Sequence, residues 1–158
     1  MSAVYYDVIQ LVERLHRYFL DVVKTELDRQ NMQDINNVQA MILYNIGHDD
    51  LTVGELTLRG YYLGSNVSYN VKKMVENGYI VQERSVHDKR SIRVKLSDKG
   101  KKLHKIVSEM LSKHLSKLDV SDLGEVRLNQ TLQTLKLLER FWSSQTSFSG
   151  LASLEDFD

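Results

Sequence analysis

The sequence predicts a mainly α-helical chain with one small β-hairpin near its middle. Three observations carry that expectation. Apolar residues recur at three- and four-residue spacing through long stretches at both ends. No proline occurs anywhere in the 158 residues, whereas average usage is about 5%, so that residue breaks no helix. One segment, Ser91-Ile92-Arg93-Val94-Lys95-Leu96, strictly alternates polar and apolar side chains, which is the period of a strand.

Taken in order, Val4 to about Arg29 places apolar residues at 4, 8, 12, 15, 19, 22, 23 and 27, a long amphipathic helix. Gln30 to Asn37 is polar and interrupts it. Val38 to Ile46 is a short apolar helix stopped by Gly47 and the charged turn His48-Asp49-Asp50. Thr52-Val53-Gly54-Glu55 is a Thr-x-x-Glu capping box, so another helix starts there and runs to about Leu58. Gly60 and Gly64 bound a turn. Ser65 and Asn66 supply N-cap chemistry for a helix that reaches Asn77 and ends at Gly78. Tyr79 to Arg84 and Ile92 to Leu96 make the one strand pair, joined by Ser85-Val86-His87-Asp88-Lys89-Arg90. Ser97 caps a helix with apolar residues at 103, 106, 107, 110, 111, 115 and 118. After a break at 119–124, Val126, Leu128, Leu132, Leu135, Leu138 and Trp142 form a last helical stripe. Helix, turn, helix and hairpin in succession make a winged helix–turn–helix, and the hairpin is what makes that pattern specific.

This order divides the chain into a winged helix–turn–helix at 35–100, expected to bind DNA, a helical region at 4–30 and 101–143, expected to serve dimerisation, and a flexible, acidic, Ser-rich tail at 144–158. Mass and composition fit one core plus an extension: 18.3 kDa, 42% hydrophobic and 27% charged residues. The absence of cysteine excludes disulfides, thiolate metal sites and a cysteine nucleophile. Neither a basic-then-apolar amino terminus nor an uninterrupted apolar stretch is present, so the expectation is a cytoplasmic protein with no membrane partner. The five histidines lack metal-ligand spacing, and no phosphate loop or nucleophile motif is found. The expectation is therefore no enzyme, no cofactor and no metal.

The net charge of zero conceals an asymmetry. Between Arg59 and Lys105 stand twelve Lys/Arg and four Asp/Glu, a surplus of eight positive charges balanced by the rest of the chain. A basic stretch spread over three elements fits a surface that meets a polyanion better than one solvated helix face. On the helix after the turn, Val67, Val71 and Met74 share the buried side. The opposite side carries Ser65, Asn66, Tyr69, Lys72 and Lys73, flanked by Ser68 and Asn70. Short polar side chains and a tyrosine can reach base edges, and lysines can neutralise phosphates. At the hairpin tip Lys89 adds charge, Arg90 can enter a minor groove, and Asp88 pairs with a neighbouring arginine to hold the tip in shape.

Thr52-Val53-Gly54-Glu55-Leu56, Ser65-x-x-Ser68, Met74-x-x-x-Gly78-Tyr79-Ile80 and Asp88-Lys89-Arg90-Ser91-Ile92-x-Val94-x-Leu96-Ser97-x-x-Gly100 resemble the MarR-type winged helix–turn–helix regulators. The resemblance covers roughly residues 35 to 118, and within that group the chain resembles the branch regulating L,D-transpeptidase genes. It implies a homodimeric transcription factor, usually a repressor, that binds double-stranded DNA at a palindromic operator and responds to a small aromatic effector. It places Ser65, Ser68 and Arg90 at DNA-contacting positions. Three departures stand out: Tyr69 where the family usually has arginine, Thr57 where alanine is common, and a short wing without glycine.

The first and the last two helices carry apolar stripes too long for the central domain to cover, which a second copy would cover, with Phe141, Trp142 and the last helix's leucines at the interface. His16, Arg17, Tyr18 and Tyr44 could line an effector pocket, but packing or surface roles fit each better, and the effector residues stay unassigned. The alternative to operator recognition is a winged helix used for protein contacts or RNA.

Overall fold

Capping and pairing, rather than periodicity alone, set where the elements begin and end in the computed structural model of the chain, which describes residues 2–84, 86, 91–118 and 122–155, with backbone only from 147. The order is α1 (Ser2–Arg29), α2 (Asn37–Ile46), β1 (Leu51–Thr52), α3 (Val53–Gly60), α4 (Gly64–Glu76), β2 (Ile80–Arg84), β3 (Ile92–Leu96), α5 (Asp98–Leu118) and α6 (Glu125–Glu155). The chain forms two compact units, one through Leu111 and one from Ser112.

In the first unit, α1 buries only Val23 and Leu27, at its carboxyl end. Helix α2 starts at an Asn36–Gln39 capping box: the Asn36 side chain accepts from the Gln39 amide, and the Gln39 side chain accepts from the Asn36 amide. The expected Thr52–Glu55 box opens α3 in the same reciprocal way. The core gathers Ile42, Leu43, Ile46, Leu56, Val67, Met74, Tyr79, Val94, Leu103 and Val107, all at most 2% exposed. Apolar faces of α2 to α5 thus close over one side of the sheet.

The sheet has three strands, not two. β1 pairs antiparallel with β3 (Leu51 opposite Val94), and β3 pairs antiparallel with β2 from Ile80–Leu96 to Arg84–Ile92. A two-residue strand offers no period to detect; β1 exists because β3, some forty residues later, supplies its partners. The alternation in β3 behaves as expected, with Val94 and Leu96 buried and Lys95 exposed.

A second correction concerns the start of α4. Ser65 and Asn66 lie inside its first turn, whereas Leu63 is the N-cap and offers no side-chain hydrogen bond. The far end is as expected, with Gly78 at φ +80°, a conformation that favours glycine. Ser97 caps α5 as expected, accepting from the Gly100 amide at 3.1 Å. Its hydroxyl also donates to the Gly78 carbonyl at 2.5 Å, and its amide to the Tyr79 carbonyl at 3.0 Å. A Cβ on Gly100 would stand 2.2 Å from that Tyr79 carbonyl oxygen. The Ser-x-x-Gly motif therefore welds the end of the sheet to the start of α5.

In the second unit, α6 continues past Ser143, where the sequence suggested a tail, and reaches Glu155. The apolar stripe ends at Trp142. Beyond it, hydroxyls such as Ser144 and Thr146 donate to carbonyls three residues back and follow the helix.

Candidate nucleic-acid interface

The turn between α3 and α4 is held from both sides. Tyr61 takes the left-handed conformation that ends α3, at φ 51°. The Tyr62 ring lies so close over Gly60 that a Cβ there would meet it at 2.0 Å. The Tyr62 hydroxyl accepts from the Asn45 side chain of α2, and burial pushes its pKa up against that bond's opposing effect. Arg59 donates to the Asn45 carbonyl at 3.1 Å and pairs with Asp49 at 2.7 Å. Helix α4 therefore leaves the turn in a fixed direction.

On α4 the inner stripe is as expected: Val67, Val71 and Met74 are buried. One flank is also engaged. Asn70 accepts from the buried Gln39 of α2 at 3.1 Å and donates to the Asn66 carbonyl at 2.8 Å. Asn70 thus anchors α4 to α2. Ser65, Asn66, Ser68, Tyr69 and Lys72 are all exposed on the outer side. Lys73 is half-buried. Its ammonium lies 3.5 Å from Glu76 and 5.8 Å from the centroid of the Tyr69 ring. Around Gly64, at the uncapped amino end, nothing lies within 4 Å of an added Cβ.

Beside this face runs an open groove of about 360 Å³, between the start of α3, α4 and the sheet. Thr52, Gly54, Ser68, Lys72, Gln82 and Ile92 are among its lining residues. Gln82 had no functional signal in the sequence, since only the packing of β2 brings it beside α4; Thr52 and Gly54 stood out there only as part of the capping box and the motif around it. Asp88, Lys89 and Arg90, the wing-tip residues singled out in the sequence, lie outside the described residues. Arg84, one basic residue among twelve in the sequence and without a motif around it, stands exposed at the end of β2.

The basic surplus is smaller at the surface than along the chain. Arg59 pairs with Asp49, Arg93 with Asp50, Lys99 with Asp34, Lys95 with Glu83, and Lys105 with Glu109. Four of those acids (Asp34, Asp49, Asp50 and Glu109) come from outside the basic stretch. Lys72, Arg84, Lys101 and Lys102 have no ion pair among the described residues.

At the carboxyl end of α4, Asp34 joins three segments. It accepts from the Tyr79 hydroxyl and from Lys99, each at 2.5 Å, while the Asn77 side chain donates to its carbonyl at 2.9 Å. Lys99 also donates to the Asn77 carbonyl at 2.8 Å and lies 4.3 Å over the Tyr79 ring. The hydrogen bonds from Lys99 and Tyr79 hold the Asp34 carboxyl below its ordinary pKa. Burial, and then Asp34, push the Tyr79 phenol well up.

Of the four effector candidates, Tyr44 stacks on His104 of α5 with centroids 4.8 Å apart. Burial, helped by His48, holds His104 below its ordinary pKa. His16, Arg17 and Tyr18 are exposed on α1. Among the described residues no group of three or more His, Asp or Glu could hold a metal ion, and no helix is long and apolar enough to cross a membrane.

Three comparisons bear on this arrangement. Residues 33–91 match the family model described as MarR family. The exopolysaccharide II synthesis transcriptional activator ExpG of Rhizobium meliloti (strain 1021) is 35% identical over 144 residues, spanning 91% of this chain and 74% of the relative. Among solved structures, Streptococcus pneumoniae FabT in complex with DNA superposes with a TM-score of 0.72 at 18% identity, covering 89% of this chain and 99% of that one. Staphylococcus aureus MarR, in complex with salicylate and kanamycin, gives 0.73 at 21% identity over 90% and 94% of the two chains. None of these speaks to the L,D-transpeptidase branch.

Proposed function

The chain belongs to the MarR family, and on that footing we propose that it is a transcriptional regulator that binds double-stranded DNA sequence-specifically as a homodimer. The observation that carries this reading is the division of α4. Its inner stripe is packed and its flank anchored to α2, while Ser65, Asn66, Ser68, Tyr69 and Lys72 are exposed beside an uncapped helix start and an open groove.

In this reading α4 enters the major groove. Ser65, Asn66, Ser68 and Tyr69 face base edges, Lys72 meets a phosphate, and the amino end of α4 offers its backbone amides to another. Lys89 and Arg90 extend the contact from the wing, with Arg90 in the minor groove and Asp88 shaping the tip. The DNA-bound FabT structure supports this placement by fold.

Homodimerisation is supported by apolar surface on each compact unit. Val4, Tyr6, Leu11, Leu15 and Tyr18 of α1 are exposed, as are Val126, Leu132, Leu135, Leu137 and Phe141 of α6. A two-fold pair would present its recognition helices to half-sites about 34 Å apart, hence a palindromic operator. A small aromatic effector is proposed as a further partner, supported by the salicylate-bound Staphylococcus aureus neighbour. The family resemblance favours repression, whereas the Rhizobium relative is named an activator; the position of the operator relative to the promoter would set the sign. The chain works by binding in this reading, without a cofactor.

The test is a titration of the purified protein with duplex DNA in rising salt. With six or more phosphate contacts, affinity is expected to fall by about a thousandfold or more between 50 and 200 mM salt. Binding that ignores salt would favour a protein-contact module, and a preference for RNA would favour the RNA alternative.

A further inference from the structure

Lys72 and Lys73 are adjacent in sequence and carry the same charge, yet they stand in different surroundings. Lys72 is exposed, lines the groove and has no ion pair among the described residues. Lys73 is drawn inward between Glu76, 3.5 Å from its ammonium, and the ring of Tyr69, 5.8 Å from it. Residues four apart on a helix lie on one face, so Lys73 reaches back over the turn that carries Tyr69. An ammonium within about 6 Å of an aromatic centroid is attracted to the ring face. Glu76 pulls on the same ammonium from the other side and holds it there.

We propose that Lys73 is a positioning residue for Tyr69 rather than a phosphate contact, and that the Tyr69–Lys73–Glu76 row sets the base preference of the recognition helix. This rests on the DNA-binding reading given above and assigns different tasks within it. A free tyrosine side chain samples several rotamers, and a contact that reads one base edge requires one of them. Tyr69 as a residue is 61% exposed and has little packing to select a rotamer. The ammonium of Lys73, 5.8 Å from the ring centroid, does so. The Glu76 carboxylate compensates the charge of Lys73, so this lysine displaces few counterions when DNA arrives, unlike Lys72.

The salt slope and the base preference separate these tasks. The probe is a duplex selected in vitro from a random pool by the unaltered protein, together with its single-base variants. Lys72→Ala should reduce the slope of log K against log salt by about one for each protomer engaged, with the pattern of base preference intact. Lys73→Ala should leave the slope unchanged and flatten the preference at the same base pairs as Tyr69→Ala, by about tenfold in discrimination. The double variant Tyr69→Ala/Lys73→Ala should lose no more than Tyr69→Ala alone, because the two act as one unit. Lys73→Arg, which keeps a cation over the ring, should restore the preference. Thermal unfolding of each variant should match the parent.

A slope that falls for Lys73→Ala as it does for Lys72→Ala would overturn the assignment and make Lys73 a phosphate contact. Losses that add in the double variant would overturn it too, as would a large stability loss in Lys73→Ala. Those outcomes leave the DNA-binding reading standing. If the selection yields no preferred duplex, that reading fails and the assignment fails with it.

Discussion

At its carboxyl end, α4 runs into a dense set of partners. Asn77 donates to the Asp34 carbonyl, the Gly78 carbonyl accepts from Ser97, and Tyr79 is fully buried with its hydroxyl on the Asp34 carboxylate. At its amino end the same helix begins without a side-chain cap, with open space around Gly64 and exposed polar residues. Buried polar groups are costly unless bonded, so the inner end must be satisfied by the protein itself. The outer end can leave its donors to water, and water can be exchanged for a ligand. The stable end aims the helix, and the unsatisfied end is left to bind.

The comparison is sharpest at two glycines, Gly100 under the inner end and Gly64 at the outer one. Gly100→Ala drives a Cβ against the Tyr79 carbonyl oxygen, 2.2 Å away, which is backbone and cannot rotate aside. The start of α5 has to move from the sheet, and a loss of about 2–4 kcal/mol is expected in urea denaturation. A loss under about 1 kcal/mol would show that α5 shifts freely and that the inner end is not rigid.

Asp34→Ala comes next. It removes the acceptor shared by Lys99 and Tyr79 and should cost about 1–3 kcal/mol, towards the lower figure because the site is partly open to solvent. The pH dependence follows from the direction of the shift. The folded carboxyl titrates below its ordinary value, chiefly through the Lys99 and Tyr79 hydrogen bonds. Its contribution is therefore present above the unfolded value of about 3.9 and is lost as pH falls through the lower folded value. Acid unfolding of the parent should steepen below about pH 4, and Asp34→Ala should show a shallower acid limb. Identical acid limbs would remove Asp34 from this role.

How much of this was legible in the sequence follows the same division. Features made by neighbours in the chain were readable: the Thr52–Glu55 box, the Gly78 stop, the alternation of β3, and the Val67–Val71–Met74 stripe. Features made by distant partners were not. β1 needs β3, the Gln39–Asn70 link joins residues 31 apart, and Asp34 meets Lys99 across 65. The basic stretch overstated the charge left free at the surface for the same reason, since Asp34, Asp49 and Asp50 reach it only through the fold. Ser65 and Asn66 carry good capping chemistry, but the helix begins one residue before Ser65, at Gly64, and turns that chemistry outward. The motif Ser97-x-x-Gly100, part of the family resemblance, proves to be structural glue, whereas Tyr69, one of the three departures from that pattern, is exposed on the outer side of α4.

The smallest effect on stability is expected at the outer glycine, and its sign should be reversed. An added Cβ at Gly64 meets nothing within 4 Å, and the backbone there is ordinary helix. Gly64→Ala should therefore stabilise the fold by about 0.5–1 kcal/mol, mainly by restricting the unfolded chain. The same methyl would stand at the helix start, where backbone amides are proposed to approach a phosphate at hydrogen-bonding distance. The variant should unfold at a higher temperature and yet bind the selected duplex more weakly, in separate measurements on one sample. Raised stability with unchanged affinity would mean that no DNA backbone comes close to this helix start. Lost stability would mean that Gly64 is needed by the fold, and the contrast between the two ends of α4 would fail at its outer end.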